Sequence, residues 1–302
     1  MTKVAVLAHA GKSFGGGLPE LRRELDRRGI ADPLWIEVPK SRFARKQVKR
    51  ALSDGVELLF VWGGDGMVQR SIDAMGDSKT PLAILPAGTA NLLATNLGIP
   101  QDVEQAVSVG LYGDRRPLDV GRFNGERFAV MAGAGFDAAM IDEADGSLKD
   151  RLGRMAYVWT GSQSLRAKPF KAKIDVDGAP WYVGAASCIL FGNVGRLFGG
   201  MEVFRDARPD DGRLELGVVN ADGIADWMRT IARTAAGHPE RSPLVQATSA
   251  EKVKVKLNRK VLYEVDGGGR ERVKAFTVKV QPAAITICIP REESERNDNG
   301  SH

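Results

Sequence analysis

Residues 57–69 read ELLFVWGGDGMVQ, and this stretch decides the fold. Its apolar run at 57–62 is short and bounded by glycine, the mark of a buried parallel strand. Gly63, Gly64, Asp65 and Gly66 follow, and then a helical stretch. Glycines at a strand-to-helix turn let the backbone come close to a phosphate, and the helix N-terminus favours an anion. A carboxylate among such donors suits metal binding or proton transfer, so Asp65 is a candidate to contact Mg²⁺ or to accept the proton of an attacking hydroxyl. The plain alternative is an Asp that caps an ordinary turn.

Working outward, KVAVLA at 3–8 repeats the strand pattern, and LPELRRELDRRG is an amphipathic helix with a terminal glycine. RFARKQVKRALSDG gives a second amphipathic stretch, and PLAILP at 81–86 a further strand. Alternating strands and helices predict a doubly wound α/β nucleotide-binding domain over 1–118. Within it, LPAGTANLLATNLGIP places Pro86, Gly88, Thr89 and Asn91 at a second strand–glycine–helix turn. Thr89 and Asn91 are candidates to bond phosphate or ribose, or simply to cap the helix. Ligands of open α/β sheets lie across neighbouring strand ends, so two such turns together point to a nucleotide cleft.

Beyond Asp119 the texture changes to RFAVMAG, KAKIDVDG, YVGAASCILFG, GRLELGVV, VKVKLNRKVLYEVDG and AFTVKVQPAAITICIP. These alternating strands predict a β-rich, sandwich-like second domain over 119–290, interrupted by helices near 148–166 and 222–236. The polar end, REESERNDNGSH at 291–302, reads as a disordered tail. The chain has 302 residues, 43% apolar and 27% charged, which suits two globular domains. Cys188 and Cys288 lie in apolar runs and read as buried free thiols. His9, His238 and His302 lack ligand spacing, so any metal should be a hard cation on oxygens. No apolar stretch is long enough for an anchor, which gives the expectation of a cytoplasmic protein. A net charge of +5 favours anionic partners, and no nucleic-acid motif accompanies it.

GGDG followed after about twenty residues by PAGTAN resembles the catalytic domain shared by diacylglycerol kinases, sphingosine kinases and bacterial lipid kinases, with NAD kinases more distant. The similarity continues through LDVGRF at 118–123, GAGFDAAM at 133–140, LKDRLGRMAY at 148–157, ARPDDGRLELGVV at 207–219 and VDG at 265–267. It implies an α/β domain and a β-sandwich with ATP between them, and a last strand that returns to the first domain. It places nucleotide contacts on Gly63, Gly64, Asp65, Gly66, Gly88, Thr89 and Asn91, with Gly11 and Lys12 from the AGKS stretch. It also implies a Mg²⁺ at Asp211, which would otherwise read as a turn Asp. The implied activity is ATP-dependent phosphorylation of a lipid hydroxyl, by default diacylglycerol to phosphatidic acid. Such a protein meets its lipid at a membrane surface, peripherally, and a homodimer is left open. A nucleotide-binding regulatory homologue and an NAD kinase are the alternatives.

The departures are specific. Met67 stands where that family usually has Thr, and Gln69-Arg70 where it has Asn-Glu. The early Asn-Pro is missing, and Gly268 replaces the Glu proposed as general base in bacterial members. Three readings stay open: Asp65 is the base, a nearby carboxylate such as Asp266 or Glu271 serves, or catalysis is weak. Loss of one base need not abolish phosphoryl transfer, which depends mainly on positioning and electrostatics. Of two cationic stretches, KSRFARKQVKR at 40–50 suits an anionic surface or is a merely solvated face, and the Lys/Arg residues around Tyr157, Trp159 and Phe170 suit an anionic membrane surface unless those aromatics pack in the core.

Overall fold

The computed structural model describes residues 2–135, 169–197, 201–221 and 244–291. The helices expected near 148–166 and 222–236, the LKDRLGRMAY segment and the tail beyond Arg291 lie outside the described residues.

The first half alternates as its sequence predicts. In chain order it runs β1 (Val4–His9), α1 (Gly17–Arg27), β2 (Leu34–Val38), α2 (Ala44–Ser53), β3 (Leu58–Gly63), α3 (Asp65–Met75) and β4 (Leu82–Pro86). Then come the short α4 (Leu92–Asn96) and α5 (Val103–Tyr112). The four strands pair in parallel in the order β2, β1, β3, β4. Alternate residues of β1 face opposite layers. Val4, Val6 and Ala8 pack with Leu21, Leu25, Val103 and Val107 of α1 and α5. Ala5 and Leu7 pack with Val48 and Ile72 of α2 and α3. Both faces are covered, which is why these strands are continuous apolar runs rather than alternating ones. α1 ends as expected, with Gly29 at φ +80° and its N–H donating to the Asp26 carbonyl at 2.9 Å.

The second half is strand-built. Its elements are β5 (Asp114–Phe123), β6 (Glu126–Phe128), β7 (Met131–Ala134), β8 (Phe170–Val176), β9 (Ala179–Ala186) and β10 (Cys188–Gly192). A small ribbon of β11 (Arg196–Leu197) and β12 (Met201–Glu202) precedes β13 (Leu214–Val219), β14 (Val245–Ala250), β15 (Lys252–Val265) and β16 (Gly268–Ile289). A second core collects Phe123, Phe128, Phe191, Tyr263 and Phe276, with Phe123 stacked on Tyr263 at 4.4 Å. Cys188 and Cys288 are buried and unpaired.

Two expected strands differ in detail. YVGAASCILFG breaks at Ser187, whose N–H donates to the Val219 carbonyl at 2.8 Å, so β9 pairs with β8 while β10 pairs with β7 and β13. The last strand runs 22 residues with an irregularity between Gln281 and Ile285, where Pro282 has no N–H and Ala283 sits at φ +46°. Buried Asp119 holds this bulge: its Oδ1 accepts the Ala283 N–H at 2.8 Å and its Oδ2 the Gly212 N–H at 2.6 Å. Past the bulge, Ile287 pairs in parallel with Leu82 of β4. One sheet thus runs through both halves, and the β15–β16 hairpin end comes to the carboxyl ends of β3 and β4.

Candidate active site

The two glycine turns touch. A Cβ on Gly88 would lie 2.4 Å from the Gly64 Cα, and one on Gly64 would lie 3.0 Å from the Gly88 Cα. Only two glycines allow that approach. The Ala87 N–H donates to the Gly63 carbonyl at 3.0 Å and joins the turns. Asn91, at φ +47°, braces the second turn: its Oδ1 accepts the Gly88 N–H at 2.8 Å, and its Nδ2 donates to the carbonyls of Pro86 and Gly88 at 3.2 and 3.0 Å. Its amide therefore faces its own backbone. Gly63 is buried against Met67, whose Cβ would be 2.6 Å from an added one.

Asp65 is the first residue of α3, and its Oδ1 accepts the Leu93 N–H of α4 at 3.4 Å. Burial raises its pKa, against the backbone donors of residues 91–93. Across the cleft Asp266 occupies the tight turn between β15 and β16 at φ +44°. Its Oδ2 accepts the Ala129 N–H at 2.9 Å, and its Oδ1 accepts the N–H groups of Val130 and Met131 at 3.0 and 2.8 Å. Burial nevertheless pushes it up to about 7, helped by the charge of Asp65. Glu264, buried on β15 beside it, is pushed to about 7 by burial and by Asp266. Buried carboxylates whose ionisation a neighbouring carboxylate hinders are suited to take up a proton near neutral pH.

Asp65 and Asp266 share a cleft of about 320 Å³, with Glu264 outside its lining. Lys12, Gly64, Asp65, Gly66, Gly88 and Thr89 of the predicted set line it, with Asp266. Gly11 does not; its N–H donates to the His9 Nδ1 at 3.1 Å and shapes the loop that carries Lys12. Gly63 and Asn91 stand behind the lining. Asp211 is elsewhere, exposed, with its Oδ1 accepting the Arg213 N–H at 2.9 Å. Glu215 beside it has a raised pKa, from burial and then from the charges of Asp211 and Asp206. Glu271 is exposed and outside the lining.

Sequence reading did not assign His9, Ser41 or Arg270, all of which line the cleft, and named Arg70 only as a departure. Arg270 grips Glu126 through Nε at 2.8 Å and Nη2 at 2.5 Å. Gln69 donates to the Arg127 carbonyl at 2.7 Å and to Glu126 at 3.3 Å. The Gln69-Arg70 pair, between Val68 and Ile72 of α3, was the available signal.

Comparison with known proteins agrees with this geometry. Residues 5–123 match the diacylglycerol kinase catalytic domain, and residues 130–289 match the YegS C-terminal NAD kinase beta sandwich-like domain. The chain belongs to this family of lipid kinases. It is 30% identical over 247 residues to a probable lipid kinase YegS-like protein of Klebsiella pneumoniae, covering 80% of this chain and 81% of that one. It is 26% identical over 260 residues to a diacylglycerol kinase of Bacillus subtilis, covering 85% of each. Among solved structures, a putative diacylglycerol kinase of Bacillus anthracis superposes with a TM-score of 0.81 at 22% identity, over 95% of both chains. An Archaeoglobus fulgidus NAD kinase in complex with ATP gives a TM-score of 0.50 at 12% identity, over 95% and 93%. The fold is thus that of diacylglycerol and NAD kinases, an α/β half followed by a β-sandwich.

Proposed function

We propose that the chain transfers the γ-phosphoryl group of ATP to a lipid hydroxyl, with diacylglycerol to phosphatidic acid as the reference reaction. The observation that carries this is the cleft in which two touching glycine turns face Asp65 and Asp266. The glycine turns and Thr89 bind the nucleotide phosphates through backbone N–H and hydroxyl groups, and Lys12 adds a cation. The acceptor oxygen forms the new bond to phosphorus, the bond to the bridging oxygen breaks with ADP as leaving group, and the hydroxyl proton passes to the Asp65–Asp266 pair. Such transfer is mainly positioning and charge neutralisation.

Mg²⁺, when bound, neutralises charge on the transferring phosphates. Asp65 suits it as an oxygen ligand, and Asp211 suits a second ion of structural role. No group of three or more His, Cys, Asp or Glu residues stands close enough to hold an ion among the described residues, so carbonyls, phosphates and water would complete either shell.

No helix among the described residues is long and apolar enough to cross a membrane. We place the protein in the cytoplasm, docked peripherally on its lipid. Support comes from Phe43, 44% exposed, with the Arg42 guanidinium 5.0 Å from its ring centre, next to cleft-lining Ser41. Lys40, Lys46 and Lys49 are exposed around it.

The test is ADP release from Mg²⁺-ATP with micellar diacylglycerol, ceramide or sphingosine, and NAD as control. Lipid-dependent turnover that falls by about 10²–10⁴-fold in both Asp65→Asn and Asp266→Asn is expected for loss of a proton acceptor. Turnover of NAD instead, or an unaffected Asp65→Asn, sinks the proposal. Gly268 favours one second reading, a nucleotide-binding homologue without turnover, which ATP binding without ADP release would mark.

A further inference from the structure

Asp65 and Asp266 come from opposite walls of the cleft, and one short segment is tied to both sides. Residues 126–131 run from β6 into β7. Near its start the buried Arg127 reaches the end of α3 and the last strand. Its Nη1 donates to the Gly76 carbonyl, its Nη2 to the Asp77 Oδ1 at 3.1 Å, and its Nε to the Gln281 Oε1 at 2.8 Å. Its backbone N–H donates to the Asp73 Oδ1 at 3.1 Å, and its carbonyl accepts the Gln69 Nε2–H at 2.7 Å. Asp65, Gln69, Asp73 and Gly76 recur at helical spacing and form one stripe, so Arg127 grips the row that begins at Asp65. Two residues on, the N–H groups of Ala129, Val130 and Met131 hold the Asp266 carboxylate, and the Asp266 N–H donates back to the Met131 carbonyl at 2.9 Å. Extended chain advances about 3.3 Å per residue, so so short a link leaves no slack between the two grips.

We infer that residues 127–131 form a spacer that sets the distance between Asp65 and Asp266, with Arg127 as its positioning residue. This rests on the kinase reading above, in which that pair takes the acceptor's proton. Arg127 stands outside the lining of the cleft and acts through α3. With the guanidinium gone, the Gly76 carbonyl, Asp77 and Gln281 lose their shared partner, the helix is released to shift along β6, and Asp65 moves with it. The glycine turns are joined to each other without Arg127, by the Ala87 N–H and by Asn91. Loosening the spacer therefore misplaces the carboxylate pair while the phosphate turns stay together, which is an effect on kcat rather than on the ATP KM.

The experiment measures lipid-dependent ADP release by Arg127→Met and Arg127→Lys, per folded molecule and well below their melting temperatures. Arg127→Met should lose about 10²-fold in kcat, the cost of about 1 Å in a positioning group, with the ATP KM within about 3-fold of wild type. Arg127→Lys, which keeps the charge and loses the planar fork, should fall between. Arg45→Gln, which takes the surface cation from Asp73 on the same helix, should cost no more than about 5-fold. The decisive comparison is Asp65→Asn with and without Arg127→Met. If Arg127 serves only the spacing, the double variant is as slow as Asp65→Asn alone, within about 3-fold. Losses that multiply, a loss confined to the ATP KM, a loss that vanishes when rates are referred to the folded fraction, or an equal loss in Arg45→Gln would each overturn the inference. Amide exchange reads the spacer without turnover. In Arg127→Met the Leu93 N–H, bonded to Asp65, and the N–H groups of Ala129, Val130 and Met131, bonded to Asp266, should exchange faster together, while β1 keeps its wild-type protection. If no lipid is phosphorylated, this joint loosening keeps the spacer while the kinase reading falls. Loosening at one carboxylate alone, or at neither, overturns the spacer whatever the turnover.

Discussion

The two walls of the cleft are made in different ways. One is backbone: Gly64 and Gly88 meet at van der Waals distance, and Asn91 holds its turn by bonds to residues three to five positions away. The other is side chain, assembled over long separations. Asp266 is fixed by the N–H of Ala129, 137 residues distant, and Arg270 by Glu126, 144 residues distant. A backbone wall presents the same donors whatever the neighbouring side chains are. A side-chain wall can be rewritten residue by residue, and Gln69, Arg70 and Gly268, which line the cleft, are departures from the pattern this sequence resembles, although Met67 beside the glycine turns is one as well. The two walls are therefore open to change to different degrees.

The largest effect expected from that contrast is on the backbone wall. Gly88→Ala forces a Cβ into the Gly64 backbone, so the turns must separate, whereas Gly66→Ala meets nothing within 4 Å. A displacement of about 1 Å in a positioning group costs on the order of 10²-fold in rate, so Gly88→Ala should lose that much turnover, with a raised ATP KM. Gly66→Ala should keep the wild-type melting temperature, and its kinetics then report how near the ligand comes to α3. Equal, small losses in both variants would break the claim that the approach of the turns sets the nucleotide site.

The same contrast explains what the sequence made legible. The glycine turns, the parallel strands and Asp65 were readable because the physics is local: apolar runs, turn residues and a helix start within a dozen positions. The sequence marked Asn91 as a candidate contact or helix cap, and its bracing of the turn was not legible, since each role suits an Asn three residues after Gly88. The halves of the fold were readable from the change of period after Asp119. The break at Ser187 was not, because it depends on a bond to Val219. Arg270, Glu126 and the role of Asp266 were out of reach for the same reason. Their partners are chosen by strand register, and no short window of sequence contains both members.

A smaller effect tests whether the side-chain wall is built at a cost. The folded-state pKa of Glu264, about 7, lies above the ordinary 4.5. Between those values the folded chain keeps a proton that the unfolded chain has released, so this group's contribution falls as pH rises through the window and is absent above it. Glu264→Gln removes the titration while keeping the shape. It should match the wild type at pH 4 and be more stable by roughly 2–4 kcal/mol at pH 8, from urea unfolding at both values. A variant no more stable at pH 8 than at pH 4, relative to the wild type, would show that the wall carries no such strain. Gly66→Ala, on the backbone wall, should show no pH-dependent difference.

The smallest effect concerns the mouth between the walls. Phe43 and its neighbouring cations are exposed beside Ser41, so a lipid surface there would meet the cleft from the side of α2. Each interfacial cation near an anionic bilayer contributes about 1 kcal/mol, and a single aromatic side chain contributes a similar modest amount. Phe43→Ala should therefore weaken binding to phosphatidylglycerol-containing vesicles by about 3- to 10-fold, and added salt should weaken it further by screening the lysines. Transfer to a soluble short-chain acceptor should be unchanged, because Phe43 is not part of the lining. If vesicle binding is unaltered while transfer to the soluble acceptor falls, the residue belongs to the site and not to the surface, and the membrane approaches the cleft from the β15–β16 side instead.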